Sequence, residues 1–119
     1  MEELVARLVA NVGVDKTAAE KSVGIILDFL RKEGPADKVQ ALIDQLPGAE
    51  ALLKSHSSEG GGFAMGGIMG AGTKMMAAGL SMGQVQGVTK EVIAYTREKA
   101  GEDAVGEIVG AIPGLSQFV

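Results

Sequence analysis

Apolar residues recur along the first 53 positions at the spacing of amphipathic helices, and turn residues cut that run into separate elements. Residues 2–12 carry Leu4, Val5, Leu8, Val9 and Val12, and Gly13 follows where a helix-ending glycine belongs. Asp15 stands at the cap of a longer helix through about residue 33, with Thr17 and Glu20 as an alternative capping box. The apolar stripe of that helix is Ala19, Val23, Ile26, Leu27 and Leu30. Gly34-Pro35 ends it, and the proline suits the first turn of a third helix, about 36–46, which presents Val39, Leu42, Ile43 and Leu46. Pro47-Gly48 closes that element, and a short helix about 49–55 follows. No stretch alternates β-branched and polar residues with a period of two, so no sheet is expected.

The same pattern returns 66 residues later. Identities at that offset are Gly13/Gly79, Arg31/Arg97, Asp37/Asp103, Val39/Val105, Pro47/Pro113 and Gly48/Gly114. Apolar positions coincide as well, among them Val14/Leu80, Ala19/Val85, Leu27/Ile93, Phe29/Tyr95 and Ile43/Val109. Ser81-x-x-Gln84 reads as a capping box opening a helix about 82–99, and Gly101 separates it from another about 102–112. Internal repetition of this kind predicts architecture. The expected fold is all-α: two pseudo-symmetric three-helix units, 1–53 and 67–119, packed as one bundle and joined through 54–66, with HSSEGGG at 56–62 as the flexible part. Mismatches such as Ile25/Glu91 and Leu30/Thr96 predict that the two units bury different faces.

Residues 60–80, GGGFAMGGIMGAGTKMMAAGL, carry a single charge, Lys74. Glycine inside a helix costs about 1 kcal/mol relative to alanine, so a helix here needs packing to compensate. Gly62, Gly66 and Gly70 recur every four residues, as do Gly79, Gly83 and Gly87; such rows let another helix approach a bare backbone strip. Met65, Met69, Met75 and Met76 lie near that strip and suit adaptable contacts. Three roles fit the segment: a thin helix buried between the units, a self-association or partner surface, and a lipid-contacting or membrane-inserted stretch. The many small residues, and the lack of an aromatic belt or basic flank, weigh against the last.

Composition narrows the chemistry. The chain has 119 residues, enough for one domain with a modest core, and aromatics are only 3%, so that core is aliphatic. Cysteine is absent, which removes disulfides, thiolate metal sites and a cysteine nucleophile. A net charge of −4 argues against nucleic acid as a partner. The N-terminus lacks the basic and continuously apolar regions of a signal peptide, so a cytoplasmic setting is expected.

Motifs that look chemical have simpler readings. Gly67 to Lys74 approaches a phosphate-binding loop, but the hydroxyl precedes the lysine, and no strand comes before it. His56 is the only histidine and falls in an expected loop. Glu98, Glu102, Asp103 and Glu107 lack the spacing of a calcium loop, and acidic residues at a helix start favour its dipole. Asp37 and Asp103 match across the offset in that role, while Arg31 and Arg97 match near helix ends and predict a salt bridge from each to the next helix.

Residues 1–30, MEELVARLVANVGVDKTAAEKSVGIILDFL, resemble the opening helix pair of the bacterial HU-type DNA-binding proteins. The basic arm that would follow is missing here, so DNA binding is not implied. The chain also resembles small all-helical bacterial proteins of unknown function, through a helix pair running into a leucine-rich segment ending in QLP, here Val39 to Pro47. That resemblance implies a helical fold and no activity.

The expected function is therefore a non-enzymatic interaction or self-assembly protein, a homo-oligomer or the partner of another protein. Its expected contact surface is Gly62, Met65, Gly66, Met69, Gly70, Met75, Met76, Gly79 and Gly83. No catalytic, cofactor-binding or metal-binding residues are expected. The alternative is a lipid- or apolar-ligand-binding, or membrane-associated, helical protein.

Overall fold

Local chemistry sets the helix ends. A computed structural model describes residues 2–46, 48–56 and 75–112. Among these, all regular structure is helical: α1 Glu2–Asn11, α2 Lys16–Glu33, α3 Ala36–Asp44, α4 Ala49–His56, α5 Met82–Ala100 and α6 Glu102–Ala111, with a helical turn at 75–77. Gly13 follows α1 at φ +84° and Gly79 follows the turn at φ +106°, a region that only glycine enters cheaply. Ser81 and Gln84 form the expected capping box of α5: the Gln84 N–H donates to Ser81 Oγ, and the Ser81 N–H donates to Gln84 Oε1. Asp15 caps α2 by backbone position alone, with no side-chain bond, and Pro35 is the cap of α3 where a first-turn position was expected.

Gly34 makes a tight corner. A Cβ there would lie 2.8 Å from the Leu30 carbonyl oxygen, 3.2 Å from Val39 and 3.4 Å from Ile112. The bare backbone lets α2 turn sharply into α3 while the residue after α6 packs over the bend.

α2 is the central helix, in contact with α1, α3, α4 and α5. Around it α4, α3, α6, α5 and α1 succeed one another, each touching the next. Apolar burial explains the position of α2: Ala19, Val23, Leu27 and Leu30 are wholly buried, and Ile26 and Phe29 nearly so. A helix apolar on most sides belongs inside a bundle. From the other helices Leu4, Leu8, Val39, Ile43, Val88, Val92, Ile93 and Ile108 complete the core. Buried hydroxyls are satisfied locally, as buried polar groups must be. Ser22 donates to the Ala18 carbonyl at 2.6 Å, Thr89 to Val85 at 2.9 Å and Thr96 to Ile93 at 2.7 Å.

Two expectations are corrected. Leu30 and Thr96 are both wholly buried, so their difference in polarity does not mark different faces; the Thr96 hydroxyl turns back onto its own helix. Ile25 and Glu91 are likewise both half-buried. Among the described residues neither Arg31 nor Arg97 pairs with the following helix. The ion pair that links α3 to α6 is Lys38–Glu107 instead.

Candidate functional site

Of the expected contact surface, Gly62, Met65, Gly66, Met69 and Gly70 lie outside the described residues, as does the phosphate-loop-like stretch at 67–74. Met75 is 1% exposed and belongs to the core, so it cannot meet a partner; a long apolar side chain next to the bundle is drawn inward. Met76 is open at 47%, and so is Met82, beyond the turn, at 57%. Gly79 serves its turn, and a Cβ at Gly83 would meet nothing within 4 Å. Within the second glycine row the close approach falls at Gly87, where a Cβ would sit 3.3 Å from both Val12 methyl groups. His56, expected in a loop, is the last residue of α4.

Sequence reasoning missed an open apolar groove. Between α1 and α4, over the first turns of α2, lies a groove of about 660 Å³. From α1 it is walled by Val5, Ala6, Val9 and Ala10, from α4 by Ala51 and Leu52 with Gly48 just before it. Lys16 and Glu20 of α2 and Glu2 at the start of α1 supply its charges. The α1 residues recur at three- and four-residue steps over more than two turns, so one helical face lines the whole length. Two neighbouring stripes make this possible. Leu4 and Leu8 point into the core at 0% exposure, while Val9, one position on, is 42% exposed. Full burial of a valine side chain is worth about 1.5–3 kcal/mol, and with Val9 42% exposed a substantial part of that gain is unrealised.

The opposite side of α1 is closed by charge. The Arg7 Nη1 group donates to Glu98 Oε2 of α5 at 2.8 Å, and Nη2 lies 3.4 Å from Glu91 Oε2. The second contact lacks hydrogen-bond alignment and leaves that buried oxygen without a donor. The Glu98 hydrogen bond raises the Arg7 pKa against partial desolvation, and the nearby carboxylates add to it. Lys99 reaches Glu3 at 3.9 Å, and both Arg7 and Lys99 lie over the Tyr95 ring, 5.8 and 5.5 Å from its centroid. The acidic residues near the helix junction thus hold helices together: Glu98 grips α1, and Glu107 grips α3.

Among the described residues no group of three or more His, Cys, Asp or Glu side chains is placed to hold a metal ion. Among them, too, no helix is long and apolar enough to cross a membrane. No family model, curated protein or solved structure matches the chain.

Proposed function

We propose that this chain is a non-enzymatic helical interaction protein whose contact surface is the groove between α1 and α4. The observation that carries the proposal is Val9, 42% exposed in a trough with helical walls on both sides and a third helix as its floor. An added helix would complete a local four-helix arrangement, and helices pack at axis separations of about 8–10 Å when the contact residues are small. Ala6, Ala10, Gly48 and Ala51 are such residues. A bound apolar small molecule is the second reading, because about 660 Å³ is the volume of a small-ligand site.

Val9→Glu tests both. The variant should keep the wild-type helical signal, lose binding of an apolar fluorescent dye at low chain concentration, and lose any species heavier than one chain at high concentration. If dye binding and mass both match wild type, the groove is not a contact surface. Flotation with phospholipid vesicles separates the lipid version, since a helix-docking groove leaves the protein with the aqueous fraction.

We also infer that the two halves descend from one three-helix unit. What supports this is the recurrence of helix starts at Lys16 and Met82, of positive φ at Gly13 and Gly79, and of burial at pairs such as Val39/Val105 and Ile43/Val109. A cytoplasmic setting belongs to the same proposal.

A further inference from the structure

The groove's charges say what fits it. Glu2 opens α1, whereas Lys16 stands just past the turn that follows α1, so the two mark opposite ends of the trough. Glu20 lies one helical turn beyond Lys16. Among the described residues none of these three makes an ion pair. A basic partner segment would meet Lys16, and an acidic one would meet Glu2 and Glu20. A segment that is acidic at one end and basic at the other matches Lys16 and Glu2, provided it runs antiparallel to α1, and leaves Glu20 one turn inward of the Lys16 contact. α1 followed by Lys16 is itself such a segment.

We propose that the groove is occupied by a second copy of this chain, the two α1 helices lying antiparallel about a twofold axis, each along the groove of the other. The inference rests on the groove being a contact surface. In a twofold interface each patch meets itself reversed, so contact i to j recurs as j to i. With the axis near the middle of α1, Val9 of each copy lies over the Val5–Ala6 stretch of the other. Glu2 of each copy then faces Lys16 of the other, twice. A parallel arrangement would place Glu2 against Glu2 and Lys16 against Lys16, a like-charge juxtaposition that selects against it.

The test is mass by light scattering after size exclusion over a range of concentrations, with the folded state of each variant checked by circular dichroism. Wild type should move from 12.2 kDa toward twice that mass as concentration rises. Val9→Glu should stay at the mass of one chain. Lys16→Glu, at an exposed position that should not threaten folding, should weaken the dimer by about tenfold, and adding Glu2→Lys to it should restore most of that loss. Because the chain contains no cysteine, mixing a Glu2→Cys variant with a Lys16→Cys variant and oxidising should give a cross-linked heterodimer. A dimer unchanged by Val9→Glu overturns the proposal, as does one that the charge swap fails to rescue. A wild-type chain that is monomeric at every concentration also overturns it. If dye binding in that case still depends on Val9, the groove reading survives with another occupant; if it does not, both fall.

Discussion

Val9 and Met75 hold equivalent places in two stretches of chain 66 residues apart, yet one is 42% exposed and the other 1%. Their surroundings agree closely: each precedes a glycine at positive φ, a buried apolar residue (Val14, Leu80) and the start of a long helix. Local pattern therefore does not decide whether the side chain is covered. Covering depends on what the neighbouring helices reach: the groove between α1 and α4 leaves Val9 open, while α5 packs against another side of α1. The difference teaches that the open apolar stripe along α1 is a property of helix placement.

The comparison is easiest to break through stability, measured by denaturant unfolding at low chain concentration. Met75→Ala should cost about 2–5 kcal/mol, the usual loss for a buried methionine, and Val9→Ala well under about 1 kcal/mol. Equal losses would mean that Val9 is covered in solution. The caps give a second contrast. Ser81→Ala removes a bonded capping box and should cost about 1 kcal/mol, while Asp15→Ala removes no side-chain bond and should cost a few tenths. A large loss at Asp15 would show that it bonds its helix in solution after all. The smallest contrast is between glycines. Gly83→Ala faces open space in a helix and should gain roughly 0.5–1 kcal/mol, whereas at Gly87 the Val12 methyl groups should cancel most of that gain.

Much of the fold was legible in the sequence because it rests on short-range chemistry. Ser81 and Gln84 stand three residues apart, Gly13 and Gly79 follow apolar runs, and the stripe Ala19–Val23–Ile26–Leu27–Leu30 recurs at helical spacing. These features place α2 and α5 to within a residue or two. The groove was not legible. Leu4, Val5, Leu8 and Val9 read as a single apolar face, whereas Leu4 and Leu8 are wholly buried and Val9 opens onto the groove between α1 and α4. Thr96 misled for the opposite reason: its hydroxyl is polar by composition but bonds the Ile93 carbonyl, which lets it take a core position beside apolar neighbours. The glycine–methionine surface fails at Met75 because side-chain type says what a residue can touch and not which way its helix faces.

The corner at Gly34 has a consequence in time. Ile112, which packs against it, follows 78 residues later in the chain (112 − 34). Synthesis at about 5–20 residues per second puts roughly 4–16 s between the two. From the completion of α4 at His56 until Ile112 is made, a nascent chain holds α1 to α4 but leaves the bend between α2 and α3 uncovered. The last described turn to arrive is thus the one that seals the first half, and a ribosome-bound chain should resist protease at that bend only after α6 has emerged.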